Sequence, residues 1–144
     1  MDLVLDTSVV VKWFVLPPED DLEAALEIRR RVVEAELDLI EPDLIFYELA
    51  NVLRYQPRLG VEEVASALDS LETMDLDVRP FSYPLGKEAV RLAKATGITA
   101  YDAYFIVFAE AFECPVLTAD RRCYARVRGR PLVKLLQAWD GTAV

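Results

Sequence analysis

Two short apolar segments that each lead to an aspartate constrain the fold of this chain more than any other feature. Leu3, Val4 and Leu5 precede Asp6, and the segment VLTAD brings a similar run to Asp120. A short continuous apolar run is typical of a strand buried on both faces, as in a parallel sheet. If the two strands are neighbours in such a sheet, both carboxylates emerge at the same edge.

Strands and helices alternate along the 144 residues. The pattern predicts strands at residues 3–5, 37–40, 78–81 and 116–118, and either a strand or a helix at 132–136. It predicts helices at residues 8–14, 19–36, 43–55, 61–74, 84–96, 99–112 and 120–127, with Pro17 and Pro18 ending the first, Asp43 as the N-cap of the third and Gly97 as the C-cap of the fifth. This alternation indicates an α/β fold with a mostly parallel central sheet of four to five short strands flanked by helices, in one domain at residues 1–144.

The chain contains no histidine and only two cysteines. The lack of histidine excludes Ser-His-Asp and Cys-His nucleophile systems, and two cysteines are too few for a zinc site of about four ligands. Any chemistry must therefore use carboxylates, hydroxyls, lysine, arginine and metals that prefer oxygen. No apolar run approaches the ~18 residues that cross a membrane, and no basic region typical of a secretory signal opens the sequence, so we expect a cytoplasmic protein without a membrane segment.

The charge of the chain is unevenly distributed. Its formal net charge is −9, but residues 114–144 hold six basic side chains against two acidic ones, a net charge of +4. Such asymmetry suits a nucleic-acid contact, a solvated face or a protein-binding patch about equally. Within this segment Arg121, Arg122 and Arg126 closely follow Asp120, where they are placed to bind the phosphates of a polynucleotide.

Glu48 lies on the predicted helix at residues 43–55, at the border of its inward face. Ile45, Leu49, Val52 and Leu53 form that face at helical spacing, and Glu48 lies beside Val52 at its edge. A glutamate beside a packed face must pair with a partner or coordinate an ion, because an unpaired buried charge costs several kcal/mol. The alternative is a surface glutamate whose carboxylate reaches water.

The aspartates each have a structural alternative. Asp6 and Asp120 can cap the helices that follow them. Asp102 lies in the first turn of the almost wholly apolar helix TAYDAYFIVFAEAF, where it forms a possible capping box with Thr99. For Asp102 the capping role and a ligand role are compatible, whereas for Asp6 and Asp120 the cap is an alternative to a ligand role.

Together the four acids predict a cation site. Four carboxylates about 6 Å apart, at an effective dielectric constant near 20, repel by about 3 kcal/mol per pair and by more than about 10 kcal/mol in total. A domain of marginal stability needs protonation or a bound cation to relieve this repulsion. Oxygen ligands without histidine or cysteine favour Mg²⁺ or Mn²⁺, which suits phosphoryl chemistry. Thr7, Ser8 and Thr118 could orient the acids or hold water, although hydroxyls beside turns often act only as local caps.

Four segments carry a resemblance to a known family: LVLDTSVVVKWF, PDLIFYELANVL, TAYDAYFIVFAE and PVLTADRR. In this order and at these separations the chain resembles the PIN-domain nucleases, and among them the VapC-type toxins of toxin–antitoxin pairs. The resemblance implies a three-layer PIN-like fold and a catalytic, metal-binding quartet at Asp6, Glu48, Asp102 and Asp120. It implies supporting hydroxyls at Thr7 or Ser8 and at Thr118. It further implies a Mg²⁺- or Mn²⁺-dependent endoribonuclease, a homodimer, and inhibition by a small VapB-like antitoxin that inserts a basic side chain into the acidic pocket.

Two other functions stay open at the level of sequence. A phosphatase or phosphotransferase could use Asp6 as its nucleophile, as in haloacid-dehalogenase-like sites, but those proteins carry a second acid two positions later, where this chain has Ser8. A catalytically silent module could use the acidic pocket only to receive an arginine of a partner.

Overall fold

The computed structural model describes residues 1–15 and 20–142. Their strands are β1 (Asp2–Leu5), β2 (Asp38–Pro42), β3 (Asp77–Arg79), β4 (Val116–Thr118) and β5 (Val133–Leu135). Their α-helices are α1 (Thr7–Val10), α2 (Leu22–Val33), α3 (Leu44–Arg54), α4 (Val61–Thr73), α5 (Tyr83–Thr96), α6 (Ala100–Ala111) and α7 (Arg121–Val127). Short 3₁₀ turns follow at Val11–Trp13 and Leu136–Ala138.

The five strands form one sheet in the order β3-β2-β1-β4-β5, and all neighbouring pairs are parallel. The predicted α/β fold with a parallel central sheet is therefore confirmed. β1 and β4 are direct neighbours, with Val4 opposite Val116 and Leu5 opposite Leu117. The two strands that lead to Asp6 and Asp120 thus lie side by side and end at the same edge.

The packing of the core explains why β1 and β4 present no face of polar side chains to solvent. Leu3, Val4 and Leu5 are fully buried, and so is Leu117 in β4. α6, which is buried along residues 103–109, packs on β1, β2 and β4, and α5 packs on α6. A helix without an exposed stripe is expected where a sheet and another helix both cover it.

The observed helices and strands differ from the predicted ones mainly in the residues at which they begin and end. The predicted helix at residues 8–14 divides into α1 and a 3₁₀ turn, and residues 132–136 contain a strand followed by a 3₁₀ turn. Gly97 ends α5 in the left-handed region, at φ 80°, as predicted for a C-cap. Asp43 precedes α3, but its side chain makes no capping hydrogen bond because its backbone is already helical.

Some predictions fall on residues that the structure does not describe. They are the end of the first helix at Pro17 and Pro18, the start of the second helix at Glu19, and residues 143–144 of the domain. Among the described residues, no helix is both long and apolar enough to cross a membrane.

Candidate active site

Asp6 ends β1 and begins α1. Its backbone is extended, and its Oδ1 accepts hydrogen bonds from the backbone N–H of Ser8, at 3.0 Å, and from the Ser8 hydroxyl. Only 6% of the residue is exposed. This burial raises the pKa of Asp6 from its ordinary 3.8 to about 7, and the charge of Asp102 adds to the effect. The helix-cap role predicted for Asp6 is therefore real, and it coexists with a strongly perturbed carboxyl group.

Hydroxyl groups connect Asp6 to the end of β4. Ser8 Oγ accepts a hydrogen bond of 2.8 Å from the backbone N–H of Ala119 and lies 3.4 Å from Thr118 Oγ1. Thr118 Oγ1 in turn accepts from the backbone N–H of Asp120 at 3.1 Å. Ser8 and Thr118, both predicted as supporting hydroxyls, thus hold the two strand ends in a fixed relation.

Glu48 reaches the same edge from α3, which packs against α1. Its Oε1 accepts a hydrogen bond of 2.8 Å from Thr7 Oγ1, and the residue is half-buried. Burial raises the pKa of Glu48, and the charge of Asp102 raises it further, whereas the bond from Thr7 opposes both. Glu48 therefore has a partner in Thr7, as expected of a glutamate at the border of a packed face.

The charge of Asp102 interacts with the other three predicted acids. The residue lies half-buried in the first turn of α6, where its backbone N–H donates to Thr99 Oγ1 at 3.0 Å. Burial raises the pKa of Asp102, and the charge of Asp120 raises it further. Asp102 in turn raises the pKa of Asp6 and of Glu48, so its charge acts on two of the other predicted acids and the charge of the third acts on it.

Asp120 is exposed and caps α7. Its Oδ1 accepts from the backbone N–H groups of Arg122 and Cys123, both at 3.0 Å. Beside it lies a polar cavity of about 450 Å³, lined by Lys12, Asp20, Asp21, Ala119, Asp120, Arg121, Arg122 and Gln137. Arg121 and Arg122 therefore lie beside Asp120, and their binding of phosphates stays a prediction.

Arg126 has a different environment from the other two arginines. Its Nη1 donates to the backbone carbonyl of Thr96, at 3.3 Å, at the end of α5. It does not line the polar cavity beside Asp120. Substrate binding by Arg126 stays a prediction, and the contact that the structure gives it is with the protein.

The donor set suits a hard cation. It consists of carboxylates with hydroxyl groups beside them, and the sequence offers no histidine. Among residues 1–15 and 20–142, however, no three acidic or cysteine side chains are already arranged to hold a metal ion together. A cation that keeps several waters needs only one or two protein carboxylates, as is usual for Mg²⁺. The residues present fit such an ion.

Sequence reasoning missed two polar residues near this edge, of which Glu41 is buried and Gln137 is half-buried. Glu41 in β2 is 1% exposed, and the signal for it was an acid inside the apolar run LDLIEP. Gln137 donates from Nε2 to Asp21 Oδ2 at 2.6 Å and lines the polar cavity, with no sequence signal to mark it. Lys12, whose role the sequence left open, is buried and donates to the carbonyl of Asp20.

A family model described as the PIN domain matches residues 3–130. The chain belongs to the PIN domain family. This confirms the family that the four sequence segments indicated, and the four acids all lie within the matched range. Nucleases of the PIN family generally depend on divalent metal ions.

Individual relatives agree with this membership. The PIN-domain chain is 33% identical over 126 residues to a protein named Ribonuclease VapC3 from Pyrobaculum aerophilum, covering 85% of this chain and 92% of the relative. It is 31% identical over 86 residues to Exonuclease VapC9 of the same organism, covering 60% and 65%. The fold is similar to that in the crystal structure of VapBC2 from Rickettsia felis bound to a promoter DNA fragment, with a TM-score of 0.66, 18% identity and coverage of 97% and 100%.

Proposed function

We propose that this protein is a metal-dependent ribonuclease that hydrolyses phosphodiester bonds of RNA, and that it is the toxin of a VapBC-type pair. The observation that carries the proposal is the parallel pairing of β1 with β4, the strands that lead to Asp6 and Asp120. Glu48 bonds Thr7, the residue after Asp6, and the charge of Asp102 raises the pKa of both Asp6 and Glu48. In parallel sheets, sites form outside the carboxyl ends of the strands. Membership of the PIN family and 33% identity to a protein named as a ribonuclease support the same reading.

In this proposal Asp6, Glu48 and Asp102 would hold Mg²⁺ or Mn²⁺, directly or through water molecules that the ion keeps. The bound ion would lower the pKa of a water molecule and stabilise charge on the leaving oxygen. Thr7 fixes the rotamer of Glu48, and Ser8 fixes that of Asp6. The carboxylates of Asp6 and Glu48 are therefore already oriented before a cation or a substrate arrives, which lowers the cost of assembling the site.

Asp120 has the role of a further ligand or of an acceptor for the attacking water. Its Oδ1 is engaged by two amides of α7, which leaves Oδ2 to face that water. Hydrolysis adds the water oxygen to phosphorus and breaks the bond between phosphorus and the leaving ribose oxygen. Arg121 and Arg122 border the cavity beside Asp120, where they bind the phosphates on either side of the scissile bond.

The decisive test is incubation of the purified protein with a pool of cellular RNAs, with Mg²⁺, with Mn²⁺ or with a chelator, followed by sequencing of the cut ends. We expect defined ends that appear only with a metal ion. Asp102→Asn should lose cleavage, whereas Asp69→Asn, which alters an exposed acid on α4, should keep it. Absence of cleavage under every metal condition would reject the ribonuclease.

The position of the cut needs its own experiment, because one relative is named as an exonuclease. A circular RNA has no ends, so only an endonuclease can open it. We propose endonucleolytic cleavage and expect the circular RNA to be linearised in the presence of Mn²⁺. Degradation of the linear form alone would show exonuclease activity instead.

Related experiments distinguish the ribonuclease from a phosphatase and from a catalytically silent module. An aspartyl-phosphate nucleophile must reach its substrate, and Asp6 is 6% exposed with Oδ1 committed to the cap of α1. Trapping of a phosphorylated Asp6 would nevertheless establish the phosphatase. A folded protein that neither binds Mn²⁺ nor cleaves any RNA would be the silent partner-binding module.

We further propose a small VapB-like antitoxin as partner, consistent with fold neighbours that were solved as VapBC complexes. Its basic side chain would enter the acidic pocket formed by the four carboxylates. Co-expression with any small open reading frame found next to the gene, followed by co-purification, tests this partner. An antitoxin that binds Asp6→Ala as tightly as the unmodified protein would contradict insertion into the pocket.

A homodimer and a cytoplasmic location complete the proposal. Phe81, Tyr83 and Val90 are exposed by half or more and line an apolar depression of about 580 Å³. Exposed aromatic residues of this kind are enriched at interfaces between subunits. Light scattering should give the mass of two chains for the unmodified protein and of one chain for Tyr83→Ser. Fractionation of the source cells tests the location.

A further inference from the structure

A buried glutamate in β2 lies outside the group of four acids. The Oε1 of Glu41 accepts a hydrogen bond of 2.7 Å from the backbone N–H of Leu5. Its Oε2 is buried and has no hydrogen-bond partner in the part of the chain that the structure describes. Strands inside a parallel sheet are normally apolar, and a buried polar atom without a partner is costly. The position of this carboxyl group therefore requires a compensating role.

The sheet forks at Glu41. β2 pairs with β1 at Asp38 and Leu39, whereas its following residues 40–42 pair with β3. The ladder between β1 and β2 ends before Leu5, and the N–H of Leu5 donates to the Glu41 side chain. The carboxyl group thus connects the two strands at the point where they separate.

Each arm of the fork leads to an acid of the candidate site. β1 reaches Asp6 directly after Leu5, and β2 leads into α3, which carries Glu48. The hydrogen bond from Thr7 to Glu48 joins the same two arms farther along. The spacing of the two acids therefore depends on how far β1 and β2 separate.

We propose that Glu41 is a positioning residue that clamps β1 to β2 and thereby sets the spacing of Asp6 and Glu48. The clamp is a property of the backbone, and only its effect on metal binding rests on the proposed function. The chemistry of the side chain agrees with this role. Burial, together with the charge of Asp6, holds the pKa of Glu41 well above its usual range, so a neutral side chain of the same shape can replace it.

Three variants separate the clamp from other effects. Glu41→Gln keeps an oxygen opposite the Leu5 N–H, Glu41→Asp keeps the acid but shortens its reach by one methylene, and Glu41→Leu removes the acceptor. Ile40→Val, which shortens a buried apolar side chain in the same strand and leaves the Glu41 carboxyl group in place, is the matched control. The measurements are hydrogen exchange of the Leu5 amide by NMR, Mn²⁺ affinity by calorimetry, and kcat and KM on an RNA oligonucleotide.

We expect Glu41→Gln and Ile40→Val to keep both the protection of Leu5 and the Mn²⁺ affinity of the unmodified protein. In Glu41→Asp and Glu41→Leu the Leu5 amide should exchange faster, whereas the Val4 amide, which bonds the carbonyl of Pro115, should stay protected. Their Mn²⁺ affinity should fall about tenfold, as for other residues that support metal ligands. Their kcat should fall more than their KM changes.

The outcomes that would overturn the proposal are distinct from failure of the proposed function. If Glu41→Asp and Glu41→Leu fold and keep both Leu5 protection and Mn²⁺ affinity, the clamp does not exist. If neither folds, Glu41 serves the fold as a whole and the positioning role is rejected. If the unmodified protein neither binds Mn²⁺ nor cleaves RNA, the ribonuclease proposal fails, and the exchange of Leu5 alone decides the clamp.

Discussion

Replacing Asp6 by asparagine should stabilise the protein at alkaline pH while abolishing cleavage. Asparagine keeps the Oδ1 that accepts from Ser8, so the cap of α1 remains. The pKa of Asp6 rises from 3.8 to about 7 on folding, chiefly through burial. Each pKa unit corresponds to about 1.4 kcal/mol, so ionised Asp6 lowers the free energy of unfolding by about 4 kcal/mol.

The direction in which stability changes with pH follows from the protons that the folded and unfolded states bind. Between pH 3.8 and about 7 the folded protein holds a proton on Asp6 that the unfolded chain has released, so stability falls as the pH rises through this window. Above the folded pKa the full penalty is present. Asparagine cannot ionise, and the stability advantage of Asp6→Asn should therefore widen by about 2 to 3 kcal/mol between pH 5 and pH 8.

Urea unfolding at pH 5 and pH 8, with a chelator present, measures this difference. Asp120→Asn is the matched control, because Asp120 is also an N-cap but is exposed. We expect its effect to be small and similar at both pH values. A stability difference for Asp6→Asn that stays constant between pH 5 and pH 8, or an unfolded Asp6→Asn, would refute the electrostatic reasoning and leave only the capping role.

Further predictions concern the metal, the support of the acids and the substrate. Mn²⁺ at a hundred times its dissociation constant should raise the free energy of unfolding by about 2.7 kcal/mol, and this gain should be largely lost in Asp102→Asn, by urea unfolding. Thr7→Val removes the hydrogen bond to Glu48 and should cost about 1 kcal/mol of stability together with a drop in kcat. Thr99→Ala removes the cap of α6 and should cost about 1 kcal/mol, measured by thermal unfolding. Arg122→Ala should raise KM for RNA and weaken its dependence on salt, with Mn²⁺ affinity unchanged in calorimetry.

The parts of the fold that sequence could predict are those set by local patterns. Apolar runs marked β1 and β4 because both strands are buried on both faces, and Gly97 marked the end of α5 because it adopts a positive φ. The convergence of Asp6 and Asp120 followed from the pairing of two parallel strands. That pairing is confirmed, although the catalytic roles of these residues remain predictions.

The parts that sequence could not predict depend on contacts between distant segments. Glu41 bonds the backbone of Leu5, and Gln137 bonds Asp21. No local sequence pattern predicts either of these contacts. Arg126 follows Asp120 closely in the sequence, yet its side chain contacts the carbonyl of Thr96 at the end of α5. Its binding of phosphate stays a prediction. Residues that are close in sequence can lie on different sides of a helix, whereas residues far apart in sequence can meet at one edge of a sheet.

The choice between a helix cap and a metal ligand, which the sequence presented as two alternatives, does not have to be made for Asp6 and Asp120. Each uses Oδ1 for the amides of the following helix, and a carboxylate has a second oxygen. The cap orients the carboxylate, so the strand-to-helix turn that builds the fold also aims the acid at the sheet edge. Asp6→Asn removes the charge and keeps the cap, so it separates the effect on function from the effect on folding. Asp6→Ala removes both the charge and the cap. A difference in stability between Asp6→Asn and Asp6→Ala, measured at the same alkaline pH, would report the contribution of the cap alone, which we expect to be about 1 kcal/mol.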